Sequence, residues 1–157
     1  MRIIGIDPGT ATTGFSIIDY DKKKVKLLDY GCIRTKKTLC MGARLNQISE
    51  DLSSLIIKWK PEKASVEKLF FNKNIKTAIT VAQARGVIMQ TLEKHKVNQK
   101  EYTPGQIKMA VCGYGKADKK MIQDMVKIIL GLKTTPKPDD AADAIAAAIC
   151  SANSFPS

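Results

Sequence analysis

The stretch Ile3-Ile4-Gly5-Ile6-Asp7-Pro8-Gly9-Thr10 decides the fold, because its apolar run reads as a buried strand that ends on a carboxylate. Ile3, Ile4 and Ile6 favour a pleated, fully packed environment. Pro8 has no amide hydrogen to continue a ladder and Gly9 tolerates a tight turn, so the strand stops as soon as it has delivered Asp7. An acid placed there costs roughly 3 to 5 kcal/mol unless something positive compensates it. No Lys or Arg lies between Arg2 and Lys22. A metal ion would meet that need, and a simple turn cap is the bland alternative; the octet alone leaves both open.

Composition narrows the classes. At 157 residues the chain is expected to form one domain over 1–157, large enough to bury a core without disulfides. Lys and Arg number 26 against 15 Asp and Glu, a net charge of +11 that suits a polyanion such as nucleic acid. Cys32, Cys40, Cys112 and Cys150 form no C-x-x-C pair and His95 is the single histidine, which argues against zinc. The thiols are expected to be small buried hydrophobes in a reducing compartment. No apolar run reaches the roughly 18 residues of a membrane span and the N-terminus enters a strand directly, so a soluble, cytoplasmic protein is expected, with no membrane partner.

Working outward from the octet, Thr12 to Asp19 alternates as a second strand, Asp21-Lys22-Lys23-Lys24 is a charged hairpin turn, and Val25 to Arg34 is a third strand, giving an antiparallel meander. Leu45, Ile48, Leu52, Leu55, Ile56 and Trp59 recur at helical spacing between Met41 and Lys60, where Pro61 ends the helix. Lys63 to Glu67 is a short fourth strand carrying a second acid, Glu67, to its end as the first strand carries Asp7. Leu69 to Lys73 reads as a loop with two adjacent aromatics, suited to stacking on bases or to anchoring the loop. A long helix over Ile75 to Lys96 is expected to turn Ile75, Ile79, Ala82, Gly86, Met89 and Leu92 inward, internal packing being favoured over a subunit interface. Val97 to Tyr102 follows as a fifth strand, Pro104 to Cys112 as a helical turn, and Asp118 to Leu130 as a helix with Ile122, Met125 and Ile129 inward and Lys119, Lys120 and Lys127 outward.

The last element, Asp139 to Ile149, is an alanine-rich helix started by the preceding proline. Asp139 suits N-terminal capping and dipole compensation. Asp140 and Asp143, three apart, share one face of the first turn. Small side chains would let this helix lie almost flush against the sheet, so that Asp7, Glu67, Asp140 and Asp143 converge from three distant segments. Such a set of hard oxygen donors suits Mg²⁺ far better than thiols or imidazole would. Two such ions about 3.5 to 4 Å apart, sharing a central carboxylate, are an arrangement that supports in-line phosphoryl displacement. With the basic surface, this predicts phosphodiester hydrolysis.

Taken together, Gly5-Ile6-Asp7-Pro8-Gly9 with Thr13-Gly14, Gly31-Cys32-Ile33-Arg34-Thr35, Val66-Glu67-Lys68-Leu69-Phe70, Gln83-Ala84-Arg85-Gly86 and Asp140-Ala141-Ala142-Asp143-Ala144 resemble the bacterial RuvC Holliday-junction resolvases, in order along nearly the whole chain. The resemblance implies an α/β, RNase H-like fold with a five-stranded mixed sheet flanked by helices. It implies a homodimer that nicks two opposing strands of a four-way DNA junction symmetrically in recombination and repair, using Mg²⁺, two per site, with Mn²⁺ able to substitute. Asp7, Glu67, Asp140 and Asp143 match the family's catalytic, metal-binding acids. Phe70 matches a loop aromatic acting on bases near the crossover, and Lys108 and Lys119 match basic positions tied to DNA binding or the active site. RuvA and RuvB, the branch-migration proteins, are implied as partners. The chain departs from the pattern after the acidic helix, at Phe155-Pro156-Ser157, where many relatives carry a basic tail.

Three other readings compete. A YqgF-type RNase H-fold nuclease acting on RNA shares the aspartate strand, but the Asp-Ala-Ala-Asp helix and aromatic loop argue against it. An actin-like nucleotide-binding module opens with a similar Asp-x-Gly-Thr, yet needs two such domains to enclose ATP. A non-catalytic junction-binding protein would not require four converging acids.

Overall fold

The computed structural model describes residues 1–68 and 75–154, apart from the side chains of 75 and 76. Strands β1 (Arg2–Asp7), β2 (Thr12–Asp21) and β3 (Lys24–Arg34) form the antiparallel meander, and β4 (Lys63–Glu67) and β5 (Asn98–Tyr102) add in parallel on the other side of β1. The order is β3-β2-β1-β4-β5. β1 is central and covered on both faces, which explains its nearly unbroken run of isoleucines in place of an alternating pattern.

Parallel neighbours need a crossover, and helices supply them. Helix α1 (Met41–Trp59) joins β3 to β4, and α2 (Ile75–Lys94) joins β4 to β5. Both cover one face, where Ile4, Ile6 and Ile17 of the sheet pack with Ile48, Leu52 and Ile88. The opposite face is covered by α5 (Asp139–Asn153), with α3 (Pro104–Cys112) and α4 (Lys119–Ile129) packed against it. This is the expected RNase H-like, five-stranded mixed sheet.

Helix α5 lies flush because the sheet carries glycines at two points where it passes. A Cβ on Gly5 would stand 2.1 Å from the Ala144 carbonyl oxygen, and one on Gly14 2.0 Å from that of Asp140. Two fully buried serines beside these gaps donate hydroxyl hydrogen bonds into the helix, Ser16 to the Ala144 carbonyl at 2.9 Å and Ser65 to that of Ala147 at 2.6 Å.

Several expectations need correction. The inward stripe of α2 is Ala84, Ile88, Thr91 and Leu92, and Thr91 is tied to the Val87 carbonyl at 2.8 Å. Of the described side chains in the expected stripe only Leu92 is buried, the side chain of Ile75 lying outside them; Ile79 is 56% exposed and Gly86 is exposed, with nothing within 4 Å of an added Cβ. Both sides of this helix carry small and apolar residues, so periodicity could not choose between them. The cysteines are not uniformly buried: Cys150 is, Cys32 and Cys112 are partly so, and Cys40 is exposed. Asp118, expected inside α4, caps it by accepting from the Met121 amide at 2.9 Å. α5 runs on past Ile149 to Asn153, because Ser151 and Ala152 still face the core.

Candidate active site

The parallel register of β1 and β4 sets Ile6 beside Val66, so the next residues, Asp7 and Glu67, emerge together at the same edge of the sheet. The antiparallel register sets Asp7 opposite Gly14. Since Gly14 is where the Asp140 backbone touches the sheet, the first turn of α5 is held over the end of β1. Asp143, one turn into α5, lines a cleft of about 330 Å³ with Asp7, Glu67, Pro8 and Lys68. Glu67 and Asp143 also form one wall of an adjoining cleft of about 190 Å³, which Lys108 and Lys119 line from α3 and α4. Asp140 is not among the residues lining these two clefts; it acts on Asp7 and Asp143 through its charge.

The electrostatics follow from that crowding. Burial pushes the Asp7 carboxyl up to about 8, and the neighbouring charges of Glu67, Asp143 and Asp140 push the same way. Burial also raises Glu67, with Asp143 adding to it and Lys108 and Lys119 opposing it. The two carboxyls are hydrogen-bonded to each other, so without a cation they hold a proton between them. Asp143 is raised by burial against the pull of Lys119, whose Nζ stands 3.5 Å from its Oδ2. Burial works against the charge of Lys119, but Asp143 and Asp139 outweigh it and hold the ammonium.

Asp139 does not cap the helix. The N-cap is Pro138, and Asp139 instead pairs with Lys119 and Lys137, each at 3.3 Å, while accepting from Gln123 at 3.2 Å. These cations, Lys137 first, hold its carboxyl below the usual range. Lys119 is therefore a bridge between two acids of α5 in addition to a residue of an outward-facing row.

The donor set is all oxygen, and three of its acids are raised first by burial and then by one another's charge, which is the chemistry a hard divalent cation relieves. Among the described residues, however, no three potential ligands stand close enough as placed to enclose an ion. The acids therefore fit a cation in donor type and charge, and must draw together to ligate one. Phe70, the expected base-contacting aromatic, lies outside the described residues, as does Phe71. Sequence reasoning missed the bidentate pair of Arg85 with Glu101, at 2.5 and 2.6 Å, which ties α2 to β5 where Glu101 stands beside Val66. Its signal was an arginine in the Gln83–Gly86 motif, but the partner lies 16 residues on and only the fold joins them.

A mixed sheet of this order, with acids gathered at the ends of two parallel strands and on a helix laid across them, defines a nuclease of the RNase H-like class. A sequence model described as Crossover junction endodeoxyribonuclease RuvC matches residues 3–151. The chain belongs to the RuvC family of crossover junction endodeoxyribonucleases. It is 51% identical over 150 residues to the Finegoldia magna protein of that name, spanning 96% of this chain and 92% of that one. The RuvC structure from Thermus thermophilus superposes with a TM-score of 0.91 at 31% identity, covering 98% of this chain and 94% of that one. The T. thermophilus RuvC structure in complex with a Holliday junction substrate gives 0.90 at 31% identity, over 96% and 92%. These matches do not favour the RNA-processing or nucleotide-binding readings.

Proposed function

We propose that this chain resolves four-way DNA junctions in recombination and repair, as a homodimer making paired, symmetric nicks. The observation that carries this reading is the meeting of Asp7, Glu67 and Asp143 in one cleft flanked by Lys108 and Lys119. The family's nucleases depend on a divalent cation. Asp7, Glu67, Asp140 and Asp143 would hold it, Mg²⁺ by preference and two per site, with Mn²⁺ as substitute; when bound, it supplies Lewis acidity at the scissile phosphate and lowers the pKa of water. With the cation held there, Asp7 and Glu67 would be ionised, and Lys119, 3.5 Å from Asp143 and lining the adjoining cleft, would offer its charge to the phosphate.

Two-fold symmetry of the junction is most simply met by a two-fold dimer. The exposed side of α2, with Ile79 and Gly86 uncovered, is the surface that supports such pairing. Phe70 is proposed to act on bases near the crossover, and RuvA and RuvB to deliver the junction in the cytoplasm. Among the described residues no helix is long and apolar enough to cross a membrane.

The test offers the purified protein a synthetic four-way junction, linear duplex, RNA–DNA hybrid and ATP, each with Mg²⁺ or EDTA. Paired, Mg²⁺-dependent nicks in the junction alone, absent from Asp7→Asn, are expected. Equal cutting of linear duplex or hybrid, or full activity in the variant, would refute the reading.

A further inference from the structure

We propose that Arg34, Lys36 and Lys37 form a phosphate-binding shelf that grips a duplex arm of the junction on the β3 side of the acidic cleft. The inference rests on the junction reading above and adds a second basic flank, across the site from Lys108 and Lys119. Strand register places it. Gly14, where the Asp140 backbone meets the sheet, pairs with Cys32, and Thr12 pairs with Arg34. Alternate residues of a strand share a face, so Arg34 follows Cys32 on the α5 side, one step beyond the point where the first turn of α5 rests. Lys36 and Lys37 continue outward from there.

The backbone carrying these cations is pinned. The Thr35 amide donates to the Ala11 carbonyl at 3.1 Å and its hydroxyl to the Thr10 carbonyl at 2.7 Å, while Arg44 Nε donates to the same hydroxyl oxygen at 2.8 Å. Gln47 donates to the Arg34 carbonyl at 3.1 Å. Thr35 is buried, but Arg34, Lys36 and Lys37 are exposed. Unlike Arg2, Arg85 and Lys119, each held by an acid, none of the three has an ion-pair partner within 4.0 Å among the described residues. The first turn of α1, which begins just beyond at Met41, adds no acid to neutralise them. Three exposed cations on a pinned edge, on the β3 side of a cleft proposed to cut a phosphodiester, suit a DNA backbone, for which phosphate contacts set position and much of the affinity.

The ordinary alternative is a solvated basic surface, and the fold supplies its own control. Lys22, Lys23 and Lys24 are equally exposed but sit at the β2–β3 hairpin, the far end of the ten-residue strand β2 and roughly 30 Å away. That distance exceeds the ~10 Å screening length near 0.1 M salt. Arg34→Gln/Lys36→Gln/Lys37→Gln and Lys22→Gln/Lys23→Gln/Lys24→Gln each remove three charges, so only position separates them.

The experiment measures binding of a fluorescent four-way junction and a linear duplex across a salt series in EDTA, for wild type and both variants. Each phosphate contact contributes about 0.9 to the slope of log affinity against log salt. The shelf variant should lose about two or more from that slope and bind the junction at least about tenfold more weakly near 0.1 M salt. The hairpin variant should track wild type within about twofold. Equal slopes for the two variants, or a shelf variant with the wild-type slope, would overturn the shelf. Wild-type protein that binds junction and duplex alike would instead overturn the junction reading. Should the triple variant melt early, Lys36→Gln/Lys37→Gln gives the same readout with a smaller slope change, and an unchanged slope there also overturns the proposal.

Discussion

Replacing Asp7 with Asn should make the cation-free protein more stable at pH 8 while removing its nuclease activity. In the wild type, the Asp7 carboxyl is raised from 3.8 to about 8, first by burial and then by Glu67, Asp143 and Asp140. The folded state therefore keeps a proton between pH 4 and 8 that the unfolded state releases. Stability conferred by that proton is full below pH 4, declines as pH rises, and is gone above about 8. At ~1.4 kcal/mol for each pH unit between the two values, the bound on the cost is roughly 6 kcal/mol. The cleft is open to water and Glu67 shares the proton, so about 2 to 3 kcal/mol is the working figure. Asn keeps the shape of the protonated acid without the titration. For a domain of this size it should raise the melting temperature by about 5 to 10 °C at pH 8 in EDTA and by almost nothing at pH 4. Saturating Mg²⁺ should reverse the order, since on the proposed cation site only the wild type keeps the full acid set. Differential scanning calorimetry over this pH range provides the check. A variant no more stable than wild type at pH 8, or a difference independent of pH, would refute the account of a crowded acidic site.

The remaining predictions concern how that site is assembled. Apparent Mg²⁺ affinity should rise up to about tenfold per pH unit until about pH 8 and then level off, as Asp7 and Glu67 lose their shared proton; isothermal titration at several pH values would expose a flat profile. Gly14→Ala would push a Cβ to 2.0 Å from the Asp140 carbonyl oxygen. The clash should cost about 1 to 3 kcal/mol and weaken Mg²⁺ binding, because the displaced first turn of α5 carries Asp140 and Asp143; destabilisation with unaltered metal affinity would count against that geometry. Ser65→Ala removes the 2.6 Å bond to the Ala147 carbonyl and should lower stability by about 1 kcal/mol, or about 2 to 4 °C in melting temperature.

Much of this arrangement was legible before folding was considered. Ile3, Ile4 and Ile6 identified the central strand, and the acids at its end and at the end of β4 were visible from Pro8 and from the brevity of Lys63–Glu67. The flush alanine helix was also legible, because runs of small residues with strong helix propensity have few other uses. Less could be read where a residue's role depends on a partner far along the chain. The choice of Ala84, Ile88, Thr91 and Leu92 over the Ile79–Gly86 stripe depends on which side of α2 meets α1, and both sides have helical periodicity. Asp139 looked like a cap on local grounds, yet Pro138 takes the N-cap position, and the partner that α4 brings within 3.3 Å of Asp139, Lys119, could not be read from the local sequence.

The sequence by itself determined the element order and the family and showed where the candidate acids lie along the chain, because these depend on local preferences and on residue types at fixed spacing. Tertiary structure alone decided that β1 and β4 lie in parallel register, that Gly14 admits the Asp140 backbone, and that burial and neighbouring acids push the Asp7 carboxyl up to about 8. The physical reason is that a carboxylate's charge state is set by burial and by neighbours a few ångströms away, and those neighbours come from segments that only the folded sheet brings together.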